Sequence, residues 1–238
     1  MYAADKLCKK KVGMKMEFFL DTVNIEKIKK YNEIYNITGV TSNPTILSRE
    51  QCDLFPTLLK IREIIGDKQL HVQVTGKTCE EMLKEAEAIT RRIDKNVYIK
   101  VPTNEEGIKT MKALKENGYN VTATIVYTLQ QAIMAASVGA DYVAPYFNRM
   151  SDSNFNALEE IGDMAKAFQM YNKPTKLLVA SFRNTNQILK VLLAGATAVT
   201  APPELYSGMF ENPAVNGIID RFEADWAKLY GSKRIYEI

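Results

Sequence analysis

Lys100 stands in an unusual place for a lysine, inside the apolar segment VYIKVP at residues 97–102. Lysine is depleted in β-strands and is almost never fully buried without a partner. Burial disfavours the charged ammonium form, and a free amine can attack a carbonyl carbon to form a Schiff base. The alternative is a lysine that extends into solvent from the strand end or pairs with a carboxylate. The segment makes Lys100 a candidate nucleophile for carbonyl chemistry.

A carboxylate closes the first apolar segment of the chain, FFLDT at residues 18–22. Asp21 in this position can transfer the protons that carbinolamine formation and dehydration require. Aspartate is also a good N-cap, and an amphipathic stretch follows at residues 23–35. A catalytic carboxylate and a helix cap are both compatible with the pattern.

Two arginines lie just beyond later apolar segments, where they can meet an anionic substrate. Arg149 follows residues 142–145, and Arg183 follows Ser181 in ASFRN at residues 180–184. Arginine and the N–H groups at the start of a helix both favour phosphate. The alternative for each arginine is a solvated side chain.

The histidine and cysteine content limits other kinds of chemistry. His71 is the single histidine, which excludes multi-histidine metal sites, and we expect it to be a strand residue with a hydrogen-bonded ring. Cys8, Cys52 and Cys79 lie far apart without CxxC spacing. Their odd number favours a reduced, cytoplasmic protein, and we expect none of them to be catalytic.

The composition is that of a soluble globular protein, with 46% hydrophobic and 25% charged residues in 238. The net charge of +3 is too small and too evenly spread to indicate a nucleic-acid surface. No apolar run approaches the ~18 residues of a membrane span. Residues 1–15 are rich in lysine and lack the apolar core of a signal peptide. We expect them to be an extension outside a single domain formed by residues 16–238.

Short apolar segments alternate with longer amphipathic ones from Met16 onward. We predict strands at residues 17–20, 39–41, 71–74, 97–101, 120–125, 142–145, 176–179 and 198–201. We predict helices between them, and further helices from the last strand to the end of the chain. Two of the helices begin with expected capping boxes, Thr78 with Glu81 and Thr103 with Glu106.

Eight strands that alternate with helices predict a (β/α)₈ TIM barrel of the α/β class. An open doubly wound sheet is the alternative, but it would need a glycine-rich phosphate loop that the sequence lacks. The chemistry of such barrels lies at the C-terminal ends of the strands. Those positions hold Asp21, Thr41 with Asn43, Gln73, Lys100, Thr124, Tyr146, and Ser181 with Arg183. Strand ends meet water and are often polar for that reason alone, which does not explain Lys100.

Taken in order, these segments resemble the transaldolase family, most closely its short fructose-6-phosphate aldolase branch. The resemblance runs from Met16 to the C-terminus. The motifs on which it rests are FFLDT (18–22), GVTSNPT (39–45), VQV (72–74), IKVP (99–102), VAPYFNRM (143–150), ASF (180–182) and FEADW (222–226).

The resemblance implies a role for each polar strand end. Lys100 would be the Schiff-base lysine and Asp21 the acid/base carboxylate. Asn43 and Thr41 would hold hydroxyl groups of the ketose. Gln73 and Thr124 would position a catalytic water that Tyr146 shares and uses for proton transfer. The substrate phosphate would be held by Arg149 and Ser181, together with Arg183.

Two of these positions separate the branches of the family. The aldolase branch has Gln and Tyr where this chain has Gln73 and Tyr146, whereas transaldolases typically have Glu and Phe. A phenol can hydrogen-bond water and donate a proton, and a phenyl ring cannot. Two departures from the aldolase branch, Thr122 and the loop at residues 150–156, affect the expected substrate more than the expected chemistry.

The resemblance implies a class I aldolase without cofactor or metal that cleaves or forms fructose 6-phosphate from dihydroxyacetone and glyceraldehyde 3-phosphate. One alternative is a transaldolase of the pentose phosphate pathway, which passes the three-carbon unit to another sugar phosphate. The alternative outside enzymes is a sugar-phosphate-binding barrel. A binding site gains little from a neutral amine, which argues against it.

The tail beyond Pro213 carries an apolar stripe of Ile218, Phe222 and Trp226, spaced four residues apart. Such a helix needs a surface to cover it. The alternatives are packing on its own barrel and packing on a neighbour. The resemblance implies exchange of this helix within pentameric rings, two of which stack into a homodecamer. We expect neither nucleic acid nor membrane as a partner.

Overall fold

The computed structural model describes residues 15–238 as a barrel of eight parallel strands surrounded by helices. The strands are β1 (Glu17–Asp21), β2 (Gly39–Thr41), β3 (Gln69–Gln73), β4 (Tyr98–Pro102), β5 (Asn120–Val126), β6 (Tyr142–Pro145), β7 (Lys176–Val179) and β8 (Ala198–Ala201). They pair in chain order, and β8 closes the barrel against β1. The predicted (β/α)₈ barrel is therefore confirmed, with every strand within two residues of its predicted bounds.

The helices alternate with the strands along the chain. They are α1 (Ile25–Ile34), α2 (Pro44–Glu50), α3 (Leu54–Ile65), α4 (Cys79–Arg92), α5 (Glu105–Glu116), α6 (Leu129–Ser137), α7 (Phe147–Asp152), α8 (Ala157–Met170), α9 (Thr185–Leu193), α10 (Pro203–Ser207) and α11 (Pro213–Tyr230), followed by a 3₁₀ turn at Ile235–Glu237. Among the described residues, no helix has the length and apolar character that a bilayer crossing requires.

Two short helices, α2 and α7, lie where the sequence indicated loops. Asn43-Pro44 reads as a turn, but the Asn43 side chain accepts a hydrogen bond from the amide of Ile46 at 3.0 Å and caps α2. Pro44 occupies its first turn, where the missing N–H costs nothing. Each of these helices has fewer than eight residues, too few to establish a helical period in the sequence.

One of the two expected capping boxes is present and the other is wrong. Thr78 and Glu81 form the reciprocal bonds of a capping box at the start of α4. At α5 the cap is Asn104, whose side chain accepts from the amide of Gly107 at 2.8 Å. The hydroxyl of Thr103 instead donates to the carbonyl of Thr124 at 2.9 Å and ties the end of β4 to β5.

A glycine on α5 lets this helix approach the strand that carries Lys100. A Cβ atom at Gly107 would lie 1.7 Å from the carbonyl oxygen of Pro102, the last residue of β4. No other residue fits there without moving the backbone. The close approach fixes the end of β4 against α5.

The interior of the barrel is filled by aromatic side chains below the strand ends. Phe19 packs edge-on against Tyr142, with ring centroids 6.0 Å apart, and Tyr98 lies 5.4 Å from Tyr142. At the opposite end from Lys100, the Tyr142 hydroxyl donates to Glu17 at 2.7 Å, and Lys176 pairs with the same carboxylate at 2.5 Å. The barrel is thus a filled core with polar groups at both ends.

The expected extension falls almost entirely outside the described residues, which begin at Lys15. The boundary between residues 1–15 and a domain of residues 16–238 therefore stays a prediction.

Candidate active site

Lys100 lies inside the barrel near the end of β4, with 4% of its surface exposed. Its amine Nζ donates a hydrogen bond to the carbonyl oxygen of Ser42 at 2.9 Å. Its strand partners are Gln73 on β3 and Thr122 on β5. The expected burial of Lys100 is confirmed, and within residues 15–238 its amine meets a backbone carbonyl rather than a carboxylate.

The Ser42 carbonyl that accepts from the Lys100 amine is itself fixed by hydrogen bonds of Ser42. The amide and the hydroxyl of Ser42 both approach the backbone carbonyl of His71, at 3.0 and 3.3 Å. Ser42 is fully buried just beyond the end of β2. Three consecutive strands, β2, β3 and β4, therefore take part in positioning the Lys100 amine.

Asp21 ends β1 and belongs to a short chain of hydroxyl groups. Thr41 donates to the carboxylate of Asp21 at 2.7 Å, and its oxygen lies 2.7 Å from the hydroxyl of Thr200. Because Thr41 has one proton to give, Thr200 donates to Thr41. The helix-cap alternative for Asp21 is wrong, because Asn24 caps α1 by accepting from the amide of Lys27 at 3.0 Å.

Thr124 on β5 and Tyr146, just beyond the neighbouring strand β6, lie with their hydroxyl oxygens 2.9 Å apart. Both are buried, and Tyr146 has 8% of its surface exposed. Ile125 has φ of 60° at a bulge where the register between β5 and β6 shifts. A left-handed, β-branched residue is rare and strained, and such bulges redirect neighbouring side chains beside functional sites.

Gln73, the strand partner of Lys100, carries a buried polar atom without a partner in the described chain. Its Oε1 accepts no hydrogen bond there. Burying an unsatisfied acceptor costs about 1–3 kcal/mol, so such atoms call for an explanation. A ligand or water that donates to Gln73 would remove this cost.

Ser181 and Arg149 are brought to one corner of the barrel mouth. The amides of Phe147 and Asn148, at the start of α7, donate to the carbonyls of Ala180 and Ser181 at 2.9 and 3.0 Å. Ser181 itself has φ of 68°, which is uncommon for serine. Arg149 is exposed, and its guanidinium carbon lies 5.2 Å from the centre of the Tyr146 ring.

Arg183 lies at the same end of the barrel but has a partner of its own. Its guanidinium donates to Asp152 at 2.7 Å, at the end of α7. Within residues 15–238, Arg149 forms no such pair with a carboxylate. Of the two arginines, Arg149 is the one without a carboxylate partner among the residues that the structure describes.

His71 is fully buried beneath Lys100, as expected for a strand residue with a hydrogen-bonded ring. Its Nδ1 lies 2.9 Å from the hydroxyl of Thr122, and its Nε2 lies 3.0 Å from Oε1 of Gln69. The ring stacks on Tyr98 at 4.5 Å. Burial lowers the pKa of His71 well below its usual value, and Lys100, when its amine is protonated, lowers that pKa further.

Two residues of the site were not found from the sequence. Thr200 is the polar residue next to the last position of β8 and fits the same rule of polar strand ends, so that signal was available. Ser42 contributes a backbone carbonyl, which every residue type carries, so no side-chain pattern indicates it. The remaining expected residues all lie at the C-terminal ends of the strands or just beyond them.

Comparison with known proteins agrees with this architecture. Residues 18–233 match a family described as Transaldolase/Fructose-6-phosphate aldolase. A relative in Streptococcus pneumoniae named "Probable fructose-6-phosphate aldolase" is 42% identical over 222 residues, which cover 92% of this chain and 100% of the relative. A "Probable transaldolase" of Streptococcus pyogenes serotype M2 is 35% identical over 212 residues, 89% of this chain and 98% of the relative.

A "Probable transaldolase" of Lachnoclostridium phytofermentans is also 35% identical, over 217 residues that cover 91% of this chain and all 100% of the relative. These relatives match nearly their whole length, and the matched family spans every strand of the barrel but the first residue of β1. With a buried lysine on β4 and a carboxylate on β1 in the same barrel, the chain belongs to the transaldolase/fructose-6-phosphate aldolase family.

Proposed function

We propose that this protein is a class I aldolase that cleaves fructose 6-phosphate into dihydroxyacetone and glyceraldehyde 3-phosphate and forms it from them. The observation that carries the proposal is Lys100, a buried amine held by one backbone carbonyl at 2.9 Å. A relative named probable fructose-6-phosphate aldolase supports the choice of reaction.

The first step joins the ketose to the enzyme. The free amine of Lys100 attacks C2 of the ketose, and a proton moves from nitrogen to oxygen to give a carbinolamine. Asp21 then supplies the proton with which the C2 hydroxyl leaves as water, and the iminium remains. Thr41 donates a hydrogen bond to the Asp21 side chain at 2.7 Å and orients it, and Thr200 in turn bonds to Thr41.

The second step breaks the C3–C4 bond. Asp21, which is a carboxylate after giving up its proton, removes the C4 hydroxyl proton as a base, and the electrons of the C3–C4 bond move into the iminium. The aldehyde leaves and an enamine stays on Lys100. Tyr146 protonates the enamine carbon through a water shared with Gln73 and Thr124, and hydrolysis then frees the lysine. The Tyr146–Thr124 contact of 2.9 Å supports this assignment.

A transaldolase is the second candidate, because two of the relatives described above carry that name at 35% identity. A transaldolase uses the same lysine and the same enamine. It differs in passing the three-carbon unit to an acceptor aldehyde instead of releasing it.

The accumulation of free dihydroxyacetone separates the two candidates. With fructose 6-phosphate alone, we expect the purified protein to release dihydroxyacetone and glyceraldehyde 3-phosphate in equal amounts, also in the presence of a chelator. Release of glyceraldehyde 3-phosphate that requires erythrose 4-phosphate, with no free dihydroxyacetone, would identify a transaldolase. Loss of activity in the chelator would contradict the cofactor-free mechanism.

Arg149 is proposed to bind the substrate phosphate together with Ser181 and Arg183. We expect Arg149→Gln to raise KM for glyceraldehyde 3-phosphate about 10–100-fold, since charge-assisted hydrogen bonds are lost. KM for unphosphorylated glyceraldehyde should change little. Arg91→Gln, at an exposed position of α4, serves as the control. Equal effects on both aldehydes would show that Arg149 has a structural role.

We further propose a homo-oligomer, a decamer of two stacked pentamers with exchange of α11. No residue of α11 is buried in the single chain, and its apolar side chains Ile218, Ile219 and Phe222 are 50–61% exposed. An apolar stripe of this kind on a soluble protein indicates an interaction surface.

Light scattering at micromolar concentration should therefore give a mass far above that of one chain. Phe222→Glu, which places a charge in the apolar stripe, should shift the protein toward smaller species. Asp220→Asn, on the same helix, should leave the mass unchanged. A parent protein that is monomeric would refute the proposed assembly.

A further inference from the structure

His71 lies beneath the reactive lysine, and no step of the proposed reaction uses it. It is one of the fully buried polar residues of the barrel, and both of its ring nitrogens have partners. Its ring is held between the stacked Tyr98 and the edge of Phe19, 5.0 Å away. A buried polar side chain that is fully hydrogen-bonded rigidifies its surroundings.

The partners of the ring define its protonation state. Oε1 of Gln69 can only accept, so Nε2 carries the proton and donates to it. The lowered pKa keeps the ring neutral, so Nδ1 carries a lone pair and accepts from the hydroxyl of Thr122. The direction of both hydrogen bonds is thereby fixed.

Two neighbours of Lys100, a strand partner and the residue that binds its amine, are connected to His71. Thr122 is the Cα partner of Lys100 in the register of β4 and β5, and its hydroxyl donates to the ring. The carbonyl oxygen of Ser42 accepts a hydrogen bond from the Lys100 amine. The amide and the hydroxyl of Ser42 in turn donate to the backbone carbonyl of His71. One residue therefore links β2, β3 and β5 around the lysine.

We propose that His71 is a positioning residue for Lys100. Its hydrogen bond with Thr122 holds the barrel interior in the geometry in which the Lys100 amine can attack the substrate carbonyl. The inference rests on the proposed Schiff-base function of Lys100. It assigns no contact between His71 and the substrate. The neutral ring also keeps a second positive charge away from the iminium that Lys100 would form.

Two replacements of His71 separate positioning from simple packing. The amide oxygen of asparagine lies as many bonds from Cβ as Nδ1 does, so His71→Asn can still accept from Thr122. The amide nitrogen of glutamine matches Nε2 in the same way, so His71→Gln keeps the bond to Gln69 and loses the one to Thr122. Glutamine also fills more of the ring's volume than asparagine does.

The experiment measures the rate at which borohydride traps dihydroxyacetone on Lys100, with kcat and KM for fructose 6-phosphate. We expect His71→Gln to lower the trapping rate and kcat about tenfold, the effect of losing one buried hydrogen bond, and KM to stay unchanged. His71→Asn should lose less. A packing role predicts the reverse order, because asparagine leaves the larger cavity. That order, or equal rates in all three proteins, would overturn the proposal.

Thr122→Val tests the same bond from the other side and preserves the volume of the side chain more closely. We expect the same tenfold loss in the trapping rate and in kcat. Adding His71→Gln should cause no further loss, since both changes remove the same hydrogen bond. Full activity in Thr122→Val would also overturn the proposal. If the parent is not trapped at Lys100 at all, the proposed function fails instead.

The single histidine allows a measurement on the unaltered protein, should the variants fail to fold. The ¹⁵N resonance of Nδ1 should shift when the adduct on Lys100 is reduced, because the adduct moves the amine away from the Ser42 carbonyl, and Ser42 is bonded to the backbone of His71. An unchanged resonance would contradict the proposed link between His71 and Lys100.

Discussion

Lys100→Met is expected to abolish both borohydride trapping and ketose cleavage. Methionine retains most of the buried stem and removes the nucleophile, so the fold should survive while covalent catalysis is lost. Removal of a covalent nucleophile costs at least about 10⁴-fold in kcat in well-studied enzymes. In the parent, mass mapping after trapping with dihydroxyacetone should place a single three-carbon unit on Lys100.

Lys84→Met is a suitable control, because Lys84 lies on the surface of α4 and pairs with Glu80. It should be trapped at Lys100 as fast as the parent. Modification of a different lysine in the parent, or persistent trapping in Lys100→Met, would show that the nucleophile has been misassigned.

The barrel could be predicted because each of its units repeats one simple pattern. A short apolar strand, an amphipathic helix and a turn recur along the chain, and both periods are local properties of the sequence. The α2 and α7 helices were missed because they are short. The cap at α5 was misplaced because two good capping residues, Thr103 and Asn104, are adjacent. Only the three-dimensional neighbour, the carbonyl of Thr124, decides between them.

The candidate site could be located for a related reason, since parallel strands end at the same edge of the barrel. That rule places Asp21, Lys100 and Tyr146 together without any knowledge of their contacts. It does not give the contacts themselves. The bond between Thr41 and Thr200 joins residues 159 positions apart, and the left-handed backbone at Ile125 follows from the bulge. Such features depend on closure of the barrel.

In the proposed reaction the enamine on Lys100 has two fates once the aldehyde has left, and Tyr146 would decide between them. Protonation at carbon leads to free ketone, whereas attack on a new aldehyde completes a transfer. The hydroxyl of Tyr146 lies 2.9 Å from Thr124, and the positive guanidinium of Arg149 lies over its ring. A phenol in this position can deliver a proton through an ordered water, and a phenyl ring cannot.

Tyr146→Phe should therefore reduce the release of free dihydroxyacetone from fructose 6-phosphate by about 10²–10⁴-fold, the usual contribution of one positioned proton donor. Transfer to an added acceptor aldehyde should fall much less, because formation of the new carbon–carbon bond consumes the enamine without that proton. The fold should survive, since the change removes one hydroxyl and leaves the ring in place. Tyr127→Phe is the matched control, because its ring lies 6.5 Å from that of Tyr146 and has no role in the proposed reaction. If Tyr146→Phe cleaves the ketose as fast as the parent, Tyr146 only forms a wall of the site, and the choice of aldolase over transaldolase loses its chemical basis.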